Sequence, residues 1–203
     1  MAKWHAFGRC KTRLANDIGK SNSARVQSVM TNHTIRVVKS LQKNELIDIS
    51  IAISGLGMKN CKRWSEALGI KKFNLQGKGC LGEKMKRQIL INKNFCAQNN
   101  IKNIIFIGTD LPDLCHLDLL NSIKELKQND LILGPSNDGG YWLIGLSKKI
   151  ISKYLHLPFI DINWGRENVL QNTIDNFAST NLKYKFLDKK IDLDTITDIE
   201  NRK

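Results

Sequence analysis

The chain has 203 residues, of which 41% are hydrophobic and 25% charged, and it carries a formal net charge of +13 at pH 7. This is ordinary globular composition, sufficient for one domain with a substantial core. The chain has no apolar run of about 18 residues and no apolar signal segment near Met1, so we expect neither a membrane span nor a secretory leader.

The positions of the lysines and cysteines along the chain indicate which kinds of partner and which cellular compartment to expect. Lysines are spread along the chain rather than gathered into one arm, which predicts a general attraction to anions and no specific nucleic-acid partner. The five cysteines are scattered without a C-x-x-C pair, which predicts reduced thiols in a cytoplasmic protein. An anionic small substrate is the partner class that remains to be tested against the motifs.

Helix and strand signals alternate along the whole chain. Apolar residues at helical spacing predict helices at residues 24–42 (with Ser21 and Ser23 as caps), 60–69, 82–100, 116–128, 147–155, 166–178 and one beginning near Thr195. Short apolar or β-branched runs predict strands at residues 47–54, 71–76, 103–107, 131–134, 141–146 and 184–187. Such alternation predicts a single α/β domain over residues 1–203, with a mostly parallel sheet covered by helices.

A basic segment, FGRCKTRL, occupies residues 7–14. It contains Gly8, Arg9, Lys11 and Arg13. Guanidinium and ammonium groups clustered on a flexible loop can bind a di- or triphosphate. The segment lacks the spacing of a Walker A loop, so an ordinary solvated basic loop is an equal alternative.

The glycine-rich segment QGKGCLGEKM, residues 76–85, directly precedes a predicted helix. Backbone N–H groups near Gly79 and Gly82 could therefore face an anion at the helix N-terminus. A plain turn followed by a helix cap is the competing interpretation, with Glu83 favouring the N-terminal end of the helix dipole.

Acidic residues follow the predicted strand at 103–107 and recur near the C-terminus. Asp110 stands at a strand end, where open α/β sheets bind ligands, and its carboxylate could hold Mg²⁺ or Mn²⁺ together with phosphate oxygens. Asp113 fits a turn after Pro112. The C-terminal segment IDLDTITDIE adds three aspartates that could supply a second metal ligand or cap a helix: Asp192, Asp194 and Asp198.

The segment GPSNDGGYWLIGL, residues 134–146, places Asp138 directly before Gly139 and Gly140. The two glycines permit close approach of another group to the backbone, which suits a substrate site. Asp-Gly-Gly between two strands is equally typical of a β-hairpin turn.

These motifs, in this order, resemble a bacterial GT-A-fold glycosyltransferase-like family. That family is related to 2-phospho-L-lactate guanylyltransferase and is sometimes associated with arsenosugar biosynthesis. The matching segments span nearly the whole chain: AKW…FGRCKTRLA, Q…GCLGEKM, IGTDLPDL, GPSNDGGYWLIGL, INWG…VLQNT and IDLDTITDI. Cys80 departs from the family, which commonly has Asp there.

The resemblance implies a three-layer nucleotide-diphospho-sugar transferase sandwich and a set of site residues. It implies phosphate binding by Gly8, Lys11, Arg13, Gly79 and Gly82, substrate binding by Asp138, Gly139, Gly140 and Tyr141, and metal binding by Asp110 and Asp194. Asp110 and Asp138 are the implied catalytic residues, and Mg²⁺ or Mn²⁺ is the implied cofactor.

Three function classes follow for the chain. The first is a metal-dependent glycosyltransferase using a nucleotide sugar and a small-molecule acceptor. The second is a nucleotidyltransferase using a nucleoside triphosphate and releasing pyrophosphate, and the third is a basic binding protein without turnover. No histidine is a convincing base, since His5 and His33 read as a loop residue and a helix-surface residue. The sequence leaves the oligomeric state open.

The start of the chain differs from the family, which has an apolar strand just before the Ala-Lys pair. Here only Met1 and Ala2 precede Lys3, which predicts that the first strand is truncated and too short to form. We therefore expect the natural protein to begin upstream, with about five to seven further residues, the usual length of a strand.

Overall fold

The computed structural model describes residues 1–42, 47–98 and 103–200, with the backbone alone for residues 93–98. The helices within these ranges are α1 (Thr12–Gln42), α2 (Met58–Ala67), α3 (Leu81–Gln98), α4 (His116–Glu125), α5 (Lys148–Lys153), α6 (Val169–Asp175) and α7 (Ile196–Glu200). The strands are β1 (Ala2–Lys3), β2 (Ser50–Ser54), β3 (Lys72–Leu75), β4 (Ile104–Ile107), β5 (Leu131–Pro135), β6 (Tyr141–Leu146) and β7 (Tyr184–Phe186). No helix in these ranges is both long and apolar enough to cross a bilayer.

The first helix begins earlier than its apolar pattern predicts. Helix α1 already starts at Thr12, because two helical stretches are joined across Gly19, whose φ of 81° and ψ of 158° are not helical. The predicted caps are therefore wrong: Ser23 lies buried inside α1, and its hydroxyl donates to the Lys20 carbonyl at 3.0 Å.

The chain divides into two compact units. The single domain predicted for residues 1–203 stays a prediction. The first unit contains Met1–Leu75, Gly108–Leu119 and the C-terminal part from Ile191. Its sheet has the order β1-β2-β3 and is parallel throughout. Buried apolar side chains of this unit form one cluster, which includes Ile35, Ile51, Ile53, Cys61 and Trp64.

The first strand is present despite its shortness. Ala2 pairs with Ile53 and Lys3 with Ser54 in a parallel register, and Ala2 is buried in the core of the unit. The expectation that these residues are too few to form a strand is therefore wrong. Two residues are sufficient because the backbone of β2 offers the ladder partners.

The second unit contains Gln76–Ile107 and Leu120–Lys190. Its sheet has the order β4-β6-β5-β7, in which β6 is antiparallel to both neighbours and β7 is parallel to β5. The chain is thus an α/β protein, as predicted, and the antiparallel strand arises because β5 and β6 form a hairpin. Strand β5 is almost continuously apolar and buried, as expected for a strand inside a sheet.

Candidate functional site

Lys11 lies between two carboxylates in the first unit. Its Nζ is 2.6 Å from Asp110 Oδ1 and 3.4 Å from Asp194 Oδ1, and it donates to the Leu193 carbonyl at 2.5 Å. The Lys11 side chain is only 2% exposed, whereas those of Asp110 and Asp194 are 38% and 48% exposed. The structure therefore brings together three of the predicted site residues around one ammonium group.

The backbone of Lys11 has a left-handed conformation, just before the start of α1. Its φ is 42°, in the left-handed region that residues with a β-carbon rarely adopt, and its carbonyl accepts the first helical bond of α1 from Ala15 at 2.9 Å. The neighbouring Cys10 and Leu14 are both fully buried. Such strain persists where the surrounding packing determines the conformation, and it is concentrated at functional sites.

The same stretch contains the other residues predicted to bind phosphate. Gly8 has a φ of 68°, and a β-carbon there would lie 3.3 Å from the Lys20 side chain. Arg13 is exposed in the first turn of α1. Desolvation raises the pKa of the Cys10 thiol despite the nearby ammonium groups of Lys3 and Lys11, which disfavours the nucleophilic thiolate form. The predicted phosphate loop is thus a short turn that runs directly into a helix.

Asp110 is held by the backbone of the C-terminal segment and by α1. The Asp110 carbonyl accepts a hydrogen bond from the Leu193 amide at 2.9 Å, which brings Asp194 beside it. The preceding residue, Thr109, is buried, and its hydroxyl lies 3.4 Å from the Gln27 amide nitrogen. Gln27 is a site-supporting residue that the sequence did not reveal.

His33, predicted as a helix-surface residue, lies on α1 with part of its side chain exposed, and it also supports this loop. Its Nε2 lies 2.9 Å from the Leu114 carbonyl oxygen, and the side chain is half-buried. Asp113, predicted to stabilise a turn, does lie in the turn between Asp110 and α4.

The acidic C-terminal segment divides into two roles. Asp198 accepts hydrogen bonds from the Asp194 and Thr195 amides at 2.9 and 2.7 Å and from the Thr195 hydroxyl at 2.8 Å, so it caps the start of α7. Asp194 instead directs its carboxylate toward Lys11. The capping alternative is thus confirmed for Asp198, and metal binding by Asp194 stays a prediction.

The carboxylates of Asp110 and Asp194 suit a divalent ion of the Mg²⁺ type. Asp110 Oδ1 is buried and receives no hydrogen bond from any residue the structure describes, because its close contact with Lys11 lacks hydrogen-bond geometry. In those residues no group of three or more His, Cys, Asp or Glu side chains could hold a metal. Two carboxylates are nonetheless sufficient for Mg²⁺, which is commonly bound by one or two carboxylates, water and substrate phosphates.

In the second unit, Asp138 organises the turn between β5 and β6. Its Oδ1 accepts hydrogen bonds from the Ser136 hydroxyl at 2.5 Å and from the Gly140 amide at 3.0 Å. Gly139 has a φ of 80° and packs against the backbone of Glu167, where any β-carbon would overlap. The hairpin interpretation of Asp-Gly-Gly is confirmed. The group that closely approaches Gly139 is the backbone of Glu167.

Tyr141 is half-buried, with its hydroxyl oxygen covered, beside aromatic and polar neighbours. Its ring meets Trp164 edge-on at a centroid distance of 6.3 Å. Its hydroxyl is buried without hydrogen-bond geometry to any described group, although Thr173 lies close by. Burial raises the pKa of Tyr141 well above its usual range, so the phenol stays protonated at neutral pH.

The N-terminus of α3 is already capped. Glu83 accepts a hydrogen bond from the Cys80 amide at 2.8 Å, and Arg87 donates to the Gln76 and Lys78 carbonyls at 2.5 and 3.0 Å. A β-carbon at Gly79 or Gly82 would collide with Glu83 or Trp164, respectively. The turn-and-cap interpretation therefore accounts for this loop, and phosphate binding by Gly79 and Gly82 stays a prediction.

Comparison with known proteins supplies the family. A family described as "Uncharacterized protein conserved in bacteria (DUF2064)" matches residues 37–166. The chain belongs to this family. The sequence of this chain is also 27% identical over 164 residues to 2-phospho-L-lactate guanylyltransferase of Methanocaldococcus jannaschii. The match covers 79% of this chain and 69% of that protein.

Solved structures agree on the fold of this DUF2064 member. A presumed nucleotide-diphospho-sugar transferase from Desulfovibrio desulfuricans G20 superposes with a TM-score of 0.77 and 26% identity, covering 96% of this chain and 80% of that one. The 4-diphosphocytidyl-2C-methyl-D-erythritol synthase of Anaerococcus prevotii superposes with a TM-score of 0.55 and 14% identity, covering 85% and 86%. The family resemblance and the fold predicted from the motifs are thereby confirmed.

Proposed function

We propose that this protein is a metal-dependent transferase that acts on a nucleotide-activated substrate. The observation that carries the proposal is the convergence of Asp110 and Asp194 on a single cation position beside the basic segment at residues 7–14. Burial of the Lys11 ammonium costs desolvation that its two carboxylate partners offset, and charge clusters of this kind are frequent at binding and catalytic sites. The named relatives, a guanylyltransferase and a nucleotide-diphospho-sugar transferase, support nucleotide chemistry.

The proposed chemistry divides between an ion and the side chains. A divalent ion held by Asp110 and Asp194 would neutralise negative charge on the phosphates of the substrate. Arg13, exposed in the first turn of α1, would bind a phosphate oxygen directly, and Lys11 would stabilise charge as it grows on the leaving group. Asp138 stays a predicted catalytic residue, with one carboxylate oxygen engaged in its own turn.

Glycosyl transfer is the first candidate reaction. An acceptor hydroxyl attacks the anomeric carbon of a nucleotide sugar, the glycosidic C–O bond to phosphate breaks, and the hydroxyl proton is lost as a nucleoside diphosphate departs. The match that covers 96% of this chain carries the name of a nucleotide-diphospho-sugar transferase, which favours this reaction.

Nucleotidyl transfer is the second candidate. An acceptor phosphate attacks the α-phosphorus of a nucleoside triphosphate, the bond to the β-phosphate oxygen breaks, and pyrophosphate departs. The guanylyltransferase relative, matched over 79% of this chain, favours this reaction.

Identification of the released product would separate these candidates. The protein would be incubated with Mg²⁺ or Mn²⁺, panels of nucleotide sugars and nucleoside triphosphates, and a small-molecule extract as the source of acceptors. Release of a nucleoside diphosphate would indicate glycosyl transfer, and release of pyrophosphate would indicate nucleotidyl transfer. Binding without either product would leave the third class, a basic binding protein. Asp110→Asn is the control that must lose metal-dependent turnover.

A further inference from the structure

We propose that Lys11 is an exchangeable internal cation. Its ammonium holds Asp110 and Asp194 together until a divalent ion takes its place, and the displaced ammonium then binds a phosphate of the incoming nucleotide. This inference rests on the proposed function and adds an order to it: the binding of metal releases the lysine that the nucleotide needs.

The first argument is that the ammonium and a divalent ion would use the same atoms. Within the part of the chain that the structure describes, the ion-pair and hydrogen-bond partners of Lys11 Nζ are oxygens of Asp110, Asp194 and the Leu193 carbonyl. Carboxylate and carbonyl oxygens are the ligands preferred by Mg²⁺ and Mn²⁺. The two cations would therefore compete for one position rather than bind side by side.

The second argument is that the contacts of the ammonium with the two carboxylates are ionic or long, since its one short hydrogen bond goes to the Leu193 carbonyl at 2.5 Å. The Asp110 Oδ1 contact at 2.6 Å lacks hydrogen-bond geometry, and the Asp194 contact is longer, at 3.4 Å. Both carboxylates are more than a third exposed, whereas the Lys11 side chain is almost fully covered. An ion arriving from solvent can therefore reach the exposed parts of both carboxylates before Lys11 leaves, and it takes the buried Asp110 Oδ1 as the ammonium withdraws.

The third argument is that lysine is suited to such a movement. Its ammonium is a point charge on a flexible four-carbon stem, so it can change partners without a change in the backbone. The backbone of Lys11 is held in the left-handed region between the buried Cys10 and the start of α1. The anchor of the side chain thus stays fixed while its charged end moves.

Exchange of this kind would couple the two ligands. A divalent ion at the carboxylates repels the ammonium of Lys11, which then gains by meeting an anionic phosphate. Metal would consequently raise the affinity for nucleotide, and nucleotide would raise the affinity for metal by the same factor, because such coupling is reciprocal.

Chemical labelling of the unaltered protein tests the displacement. An amine-acylating reagent followed by peptide mass spectrometry would report the accessibility of Lys11, with the exposed Lys62 on α2 as an internal reference. We expect Lys11 to be protected in metal-free protein, labelled when Mn²⁺ alone is bound, and protected again after nucleotide is added. Continued protection of Lys11 under saturating Mn²⁺ would overturn the exchange.

Removal of the ammonium tests the competition. Without nucleotide, Lys11→Met should bind Mn²⁺ about tenfold more tightly than the parent, measured by electron paramagnetic resonance, and should lose the coupling to nucleotide. Lys62→Met removes the same charge elsewhere and should change neither quantity. Unchanged or weaker Mn²⁺ binding by Lys11→Met would contradict the exchange alone. A failure of Mn²⁺ to bind the parent and the variant would contradict the proposed function as well.

Discussion

Replacement of Gly139 by alanine would test whether the Asp-Gly-Gly segment is built for the fold. Gly139 has a φ of 80°, and its carbonyl accepts a hydrogen bond from the Leu170 amide at 2.9 Å. A β-carbon at this position would lie 2.7 Å from Glu167 Cα and closer still to the Glu167 carbonyl, whereas real β-carbons essentially never approach within 3.0 Å. The obstacle is backbone, which cannot rotate away as a flexible side chain can.

The expected loss of stability has two parts. Holding alanine in the left-handed region costs roughly 1–2 kcal/mol. Forcing the turn and the Glu167 segment apart adds about 1–3 kcal/mol, the usual effect of overpacking. Gly139→Ala should therefore lower the free energy of unfolding by about 2–5 kcal/mol, a large share of the roughly 5–15 kcal/mol typical of a native domain.

Urea unfolding of two variants separates these parts. Gly165 has a φ of 85°, and a β-carbon at this position would have no neighbouring atom within 4 Å. Gly165→Ala should therefore show only the cost of holding alanine in the left-handed region. Equal losses for the two variants would refute the overlap with Glu167. A Gly139→Ala protein that kept its full stability but lost nucleotide binding would instead favour the substrate role predicted for this glycine.

Three further predictions concern the charged groups of the first unit. Asp110→Asn should abolish metal-dependent binding of nucleotide, measured by calorimetry, without a change in the circular dichroism spectrum; parent-like affinity would contradict the metal assignment. Arg13→Ala should weaken nucleotide binding most at low salt, where charges are least screened. Arg25→Ala, which removes a likewise exposed arginine from the same helix, should leave nucleotide binding unchanged. Equal losses of affinity in the two variants would mean that Arg13 is an ordinary surface residue. Desolvation lowers the pKa of His5 below 6.5, so its neutral form favours the folded state and stability should fall as the pH drops through 6.5. His5→Gln should reduce this acid-side fall in Tm, measured from about pH 5 to about pH 8, and an unchanged pH profile would contradict that contribution.

Local chemistry made most of the secondary structure predictable. Helix α2 was predicted to end at residue 69 and ends at Ala67, just before Gly69, whose φ of 65° is not helical. The β5–β6 hairpin follows from Asp-Gly-Gly between two apolar runs. The start of α1 could not be predicted in this way, because Gly19 interrupts the helix and the polar residues around it lack an apolar period.

The site was predictable only at the level of single residues. The position of Asp110 follows from its place after an apolar strand, whatever the rest of the chain does. Its association with Lys11 and Asp194 requires contacts between residues up to 183 positions apart, which no local pattern encodes. The roles of Gln27 and His33 were missed for the same reason, since each is one polar residue of a long helix until its partner is known.

The charges around Lys11 explain why a strongly basic protein would still need a metal to hold a nucleotide. The net charge of +13 attracts phosphates from a distance, but that attraction is screened within about 10 Å at moderate salt. At close range, the single positive charge of Lys11 faces the two negative charges of Asp110 and Asp194, so the cluster carries a net negative charge that repels phosphate. A divalent ion would cancel both carboxylates and leave the charge of Lys11 unopposed. Metal binding would thereby turn a repulsive cluster into one with a net positive charge, which would account for the proposed metal dependence without any increase in the number of basic residues.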